Sequence, residues 1–239
     1  MIIKNLNNHS RFIFLGFTLI NFLIFAGIGC KEKKPELDKS VTESYTPKEG
    51  VLPYFKGEIM DPFWSETKTL PSDLRKFSEI NLTTHTNSIF TEKNLLGKYT
   101  LLIFFYAKCH KVCPMITKNM VDLLPKIKNQ TDLQIISISV NPDEDTVDVI
   151  KQYRERFKIT NPNWFFLTGS KQKIYLMART QFGADVKVVK DQDNLDDFVH
   201  TENVFLLDKQ NYLRGVYRAK GTGDLERLLI ELETLRKER

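Results

Sequence analysis

The 239 residues carry a formal charge of +5, with 41% hydrophobic and 27% charged residues. That is enough apolar material for one core domain plus extra segments, and it excludes wholesale disorder. Three cysteines exclude a disulfide framework and a four-cysteine zinc site. Lys4 and Arg11 contribute two of the net positive charges, and the balance left without them gives no electrostatic basis for binding nucleic acid.

The N-terminus decides the compartment. Lys4 and Arg11 precede Phe12 to Gly29, an uncharged run rich in Phe, Leu and Ile, which stops at Cys30 before Lys31-Glu32-Lys33-Lys34. A positive flank, an apolar stretch and an abrupt return to polar sequence describe an export signal. A cysteine at that boundary, behind Gly27 and Gly29, resembles the lipobox of bacterial lipoproteins, whose cysteine is lipidated and becomes residue one. Gly27 stands where that motif usually has leucine. Phe12 to Gly29 is also just long enough to span a bilayer, so an uncleaved anchor is the alternative. Residues 1–30 are therefore expected to be a signal peptide with a lipobox or a membrane anchor. Either leaves the remainder on the outer side of the cytoplasmic membrane of a bacterium, held there through lipid at Cys30 or through the N-terminal helix.

Residues 31–50 are polar and charged without a hydrophobic period and read as a flexible tether. Residues 51–239 are expected to form the folded domain. Val51-Leu52-Pro53-Tyr54-Phe55 and Met60-Asp61-Pro62-Phe63-Trp64 place aromatics between prolines, which predicts an extended segment lying on that domain. Phe77 to Leu82 alternates apolar with polar and, with Ile89-Phe90, predicts a hairpin carrying His85 in solvent. Tyr99 to Tyr106 is an uncharged run typical of a strand buried on both faces. A helix from about Cys113 to Lys128 and a second central strand, Leu133 to Val140, follow. Val147, Ile150, Tyr153, Arg154 and Phe157 have helical spacing; Trp164 to Leu167 reads as a strand and Ile174 to Phe182 as a helix. Asp143, Glu144 and Asp145 precede the first of these helices, with Asp145 the expected N-cap. Val204 to Leu207 and Leu213 to Tyr217 flank Asp208-Lys209-Gln210-Asn211 as a hairpin, and an amphipathic helix runs from Gly223 to about Lys237. This order predicts an α/β, thioredoxin-like sandwich with an N-terminal β-hairpin extension.

The chemistry concentrates where the first central strand ends, at Tyr106-Ala107-Lys108-Cys109-His110-Lys111-Val112-Cys113-Pro114. On a helix, Cys109 and Cys113 would lie one turn apart on one face, close enough to share a metal or to form a disulfide. A helix N-terminus would lower both thiol pKa values. Two soft sulfurs favour Cu(I) over hard cations. His110 would point away from that face, and Met115 and Met120 are expected to pack in the core.

The segments FFYAKCHKVCPMIT, ISISVNPDEDTVDVIKQYRERF, WFFLTGS and DDFVHTENVFLLDKQNYLRGVY resemble the Sco/SenC family of copper-binding cytochrome c oxidase assembly proteins, from about Phe77 to the C-terminus. The resemblance implies a thioredoxin-like fold. It also implies copper, as Cu(I) or Cu(II), held by Cys109, Cys113 and the distant His200, and the copper-site subunit of cytochrome c oxidase as partner. His200 stands just before a buried strand, and imidazole completes the set that Cu(II) prefers beside thiolate. His110-Lys111 replaces a usual Pro-Asp or Pro-Glu pair, and Asn141 stands where aspartate is common. The other function the residues allow is a thiol-disulfide oxidoreductase using Cys109 and Cys113 on a partner's cysteines. The CxxxC spacing and the lack of proline after Pro162, where thioredoxin-like oxidoreductases usually carry a cis-proline, argue against it.

Overall fold

A computed structural model describes residues 48–65, 69–184, 186–190, 196–199 and 202–238. The expected export segment, Cys30, most of the tether and His200 lie outside these residues.

The chain first forms a small hairpin, β1 (Tyr54–Lys56) with β2 (Asp61–Phe63), Tyr54 opposite Phe63 and Phe55 opposite Pro62. Pro62 is tolerated because a two-stranded ribbon has two edges. Arg75 fastens the hairpin to the domain. Its guanidinium donates to the carbonyls of Gly57 and Glu58, both at 2.8 Å, and to that of Thr180 in the last turn of a later helix. A cation is favoured there, where helical carbonyls run out of partners.

A second hairpin, β3 (Asn81–Thr84) with β4 (Ile89–Thr91), follows as predicted. It starts later than the alternation from Phe77 suggests, because Glu79 turns the chain at a φ of 58°. The chain continues through β5 (Tyr99–Phe105), α1 (Val112–Leu123), β6 (Leu133–Ser139), α2 (Val147–Arg156), β7 (Trp164–Thr168) and α3 (Lys171–Phe182). It closes with β8 (Lys187–Lys190), β9 (Asp196–Val199), β10 (Asn203–Leu207), β11 (Leu213–Arg218) and α4 (Thr222–Lys237). Helix α1 stops short of Lys128: Pro125 disfavours helical continuation, and Leu124–Lys126 is a 3-10 turn instead. The β8–β9 pair, for which the sequence reading proposed no element, pairs within itself among the described residues.

One seven-stranded sheet has the order β11-β10-β5-β6-β7-β3-β4, with β5, β6 and β7 parallel and the outer pairings antiparallel. Strands β5 and β6 are buried at every position, which is how a strand covered on both faces is built. Their polar members are satisfied internally: Gln134 Nε2 donates to Thr100 Oγ1 at 3.0 Å, and Trp164 Nε1 to Ser137 Oγ at 3.0 Å. The result is the expected α/β, thioredoxin-like sandwich with an N-terminal β-hairpin extension. Since β6 and β10 flank β5 and run in opposite senses beside it, the carboxyl end of β5 opens at a switch in topology, where folds of this class place their ligands.

Candidate metal centre

Cys109 and Cys113 sit at that end of β5. The chain leaves the strand through Tyr106, turns so that Cys109 N donates to Tyr106 O at 3.3 Å, and enters α1 at Val112. Cys113 is the second helical residue, whereas Cys109 lies in the preceding loop, so they do not share a helical face as the spacing suggested. The loop brings them together another way: Cys113 N–H donates to Cys109 Sγ at 3.4 Å. The residues are 4% and 1% exposed, and neither is in a disulfide.

The expected lowering of both thiol pKa values does not hold for Cys113. Burial pushes its thiol well above the ordinary range, and the hydrogen bond and charge of Cys109 act in the same direction, while a backbone hydrogen bond with Tyr106 opposes them. The helix dipole is worth about 1 kcal/mol and fades within a turn, whereas full desolvation moves a pKa by as much as about 3–5 units. Desolvation wins, and the metal-free site holds a protonated Cys113.

Beneath the cysteines lies an aromatic floor. Tyr153 is 2% exposed, its ring stands 5.0 Å from Phe105 and 4.9 Å from Phe157, and its hydroxyl is 2.9 Å from Thr117 Oγ1. Burial raises its pKa beyond the ordinary phenol range, the hydrogen bond with Thr117 opposes this, and charge on Cys113 and Cys109 adds to the rise. Met120 is buried and Met115 half-buried, as expected of packing residues. Above the cysteines the rim is polar: Lys108, His110 and Lys111 are exposed, so His110 faces solvent as its spacing predicted.

The carboxylates after β6 are used differently from the expectation. Thr146, not Asp145, caps α2, its Oγ1 accepting from Val149 N at 3.4 Å. Asp145 is fully buried and its Oδ2 accepts from Ala107 N at 3.0 Å and Ser139 Oγ at 2.6 Å. Burial raises its pKa against the lowering effect of those two bonds. Asn141 shapes the same loop: its carbonyl accepts from Glu144 N and Asp145 N, and its amide donates to Glu144 at 3.2 Å. His85 is half-buried rather than solvent-exposed, with its Nδ1 accepting from Phe166 N at 3.3 Å.

Among the described residues no three of His, Cys, Asp and Glu group as a metal site, so the described donors are the two sulfurs. Two adjacent, desolvated thiols suit a soft monovalent ion of low coordination number, which is what Cu(I) is. The sequence reading found both cysteines through their spacing. It missed Tyr153 as part of the floor and the tie of Asp145 to Ala107, because neither has a sequence signature apart from helical spacing and an acidic run.

The SCO1/SenC family model matches residues 71–235. Among curated proteins, the chain is 32% identical over 117 residues to the SCO1 protein homolog of Bacillus subtilis, covering 48% of this chain and 59% of that one. It is 31% identical over 132 residues to the mitochondrial SCO1 homolog of Homo sapiens, covering 53% and 42% respectively. The chain thus matches about half of these relatives' own length. Among solved structures, a SCO1/SenC family lipoprotein from Bacillus anthracis aligns at 26% identity with a TM-score of 0.62, over 71% of this chain and all of that one. Bradyrhizobium japonicum ScoI with copper bound aligns at 27% identity with a TM-score of 0.55, over 64% and 95%.

Proposed function

The chain belongs to the SCO1/SenC family, and from that premise we propose that it is a copper chaperone. It carries copper as cargo on Cys109, Cys113 and His200 and delivers it to the copper-site subunit of cytochrome c oxidase. One observation carries this reading: the buried, contacting thiols at the carboxyl end of β5. The copper held by the Bradyrhizobium relative supports the choice of metal. For His200 the support is topological. Val204 pairs with Ile103, so the chain enters β10 at the end of the sheet where β5 releases the cysteine loop. His200 is two residues before Glu202, a chain reach of about 7 Å. The oxidoreductase reading is the weaker one, because the cysteines are spaced CxxxC rather than CxxC and no proline follows Pro162.

The export reading goes with this function. Cys30 is the proposed lipid attachment, an uncleaved N-terminal helix the alternative, and residues 31–50 the tether; the lipoprotein relative from Bacillus anthracis supports the first. A Cys30→Ala variant should lose lipid labelling and accumulate unprocessed, and normal processing would favour the helix.

Anaerobic titration with Cu(I) against a competing chelator, and separately with Cu(II), tests the ligands. Cys109→Ala and Cys113→Ala should each lose tight binding of both ions. His200→Ala should keep part of its Cu(I) affinity but lose the stable Cu(II) complex and its sulfur-to-copper charge-transfer absorption, since Cu(II) needs the harder nitrogen donor. His110→Ala should change little. A His110 variant with the behaviour expected of His200 would reassign the third ligand.

A further inference from the structure

The segment after β6 grips the cysteine loop at three points, and they are unequal. Glu144 pairs with Lys108 at 3.0 Å, but the two side chains are 50% and 69% exposed, and water screens such a pair. Arg156 donates to the Ala107 carbonyl at 3.2 Å while lying over the Tyr153 ring, and it too is exposed. Asp145 takes the Ala107 N–H from a position of 0% exposure, where no water replaces a lost bond. Ser139, the last residue of β6, donates to the same carboxylate oxygen and accepts from Asn141 N at 3.0 Å. The carboxylate is therefore mounted on the end of a central strand.

A buried carboxylate with no ion-pair contact among the described residues is costly, the charge of exposed Lys108 offsets only part of that cost, and Asp145 Oδ1 has no hydrogen-bond partner among the described residues. Helix capping does not account for the cost, since Thr146 performs it. What the carboxylate does hold is Ala107, two residues before Cys109.

We propose that Asp145 is the positioning residue of the dithiol: by fixing Ala107 it sets the Cys109 sulfur against the Cys113 N–H and keeps both sulfurs out of water until a metal takes them. A loop already ordered in the binding geometry loses less entropy when the ion arrives. This last consequence rests on the copper reading; the positioning itself does not, and is measured without metal.

The reduced, metal-free protein is alkylated with iodoacetamide at mildly alkaline pH, and labelling of Cys109 and Cys113 is followed by mass spectrometry. Asp145→Ala should react at least about tenfold faster, since a lost buried acceptor favours local opening. Asp145→Asn keeps an acceptor oxygen and should stay within about twofold of the unsubstituted protein, and Ser139→Ala should fall between them. Leu228→Ala, a core truncation on α4, should lower the melting temperature without speeding alkylation. Equal rates in Asp145→Ala and Leu228→Ala would overturn the proposal, as would an Asp145→Asn variant as fast as the alanine one. Should Asp145→Ala fail to fold, an unchanged rate in Ser139→Ala would overturn it. Cu(I) competition on the same proteins should show affinity reduced about tenfold in Asp145→Ala and restored in Asp145→Asn; faster alkylation with unchanged Cu(I) affinity would refute the preorganisation of the metal site. Absence of Cu(I) binding by the unsubstituted protein would sink the copper reading and leave the alkylation series to decide the role of Asp145.

Discussion

At the scale of single residues, the protonation of Cys113 governs the site. Burial, followed by the hydrogen bond and charge of Cys109, holds the thiol pKa well above its ordinary range. The proton is present at neutral pH and has to leave when a metal binds. Apparent Cu(I) affinity should therefore rise with pH, by up to about tenfold per pH unit for each proton released. Competition titrations between about pH 6 and 9, corrected for the chelator's own protonation, should show a continuous rise; a plateau starting below neutral pH would mean that thiolate already exists in the free protein. The two candidate cysteines were legible in the sequence, since CxxxCP is visible in one dimension. Their protonation was not, because burial and charge at Cys113 depend on parts of the chain far away in sequence, among them Asp145, 32 positions beyond it.

At the scale of elements, the long apolar runs were legible and the short polar ones were not. Strands β5 and β6 announce themselves because burial on both faces permits little except apolar residues. Strands β8 and β9 are four residues each, begin or end on Lys187, Lys190 and Asp196, and pair with each other among the described residues, so neither shows a long apolar run in the sequence. The β3–β4 hairpin shows a second limit. Alternation located it, yet gave no reason to seat His85 against β7, where its Nδ1 accepts from Phe166 N and its ring stands edge-on to Phe166 at 6.4 Å. Burial lowers the His85 pKa first, the charges of Arg154 and Lys151 lower it further, and the bond that neutral Nδ1 accepts from Phe166 N–H favours the same uncharged ring; only an interaction of the protonated ring with the Phe166 backbone would act the other way. A base with a depressed folded pKa contributes stability that is present above its unfolded value of about 6.5 and lost as pH falls. Protonated Nδ1 also cannot accept from Phe166 N. Hydrogen exchange, corrected for its intrinsic pH dependence, should therefore show Thr84, His85 and Phe166 amides losing protection on going from about pH 7.5 to 5.5. His85→Asn, which carries no titrating ring, should remove that dependence; its persistence would move the cause elsewhere.

At the scale of the whole molecule, separate segments of the chain converge on Arg214. Its side chain is 4% exposed and donates to Pro53 O at 3.0 Å, Leu52 O at 2.7 Å, Asp208 at 3.3 Å and Glu238 at 2.6 Å, with the guanidinium 4.1 Å from the centre of the Tyr54 ring. One cation thus ties the N-terminal hairpin and the C-terminal end of α4 to the β10–β11 turn. The cysteine pair is at the opposite end of β5, since β10 runs antiparallel to β5 and Leu207, next to Asp208, pairs with Thr100. The apolar core extends over the whole sheet and the tie lies away from the cysteines, so the domain is expected to fold without metal, unlike a metal-nucleated fold. Chelation of the soluble domain, from about residue 50, should accordingly leave its far-ultraviolet circular dichroism nearly unchanged, and collapse of the signal would make the metal structural. Arg214→Met should do the opposite: with Asp208 and Glu238 left without their cation, unfolding free energy should fall by about 3–5 kcal/mol. Urea unfolding of the two proteins, each with and without Cu(I), separates the contributions. Copper should add the same increment to both, because sites with no shared partners act independently. A copper increment that shrinks in Arg214→Met would show that the tie and the metal site are coupled through β5.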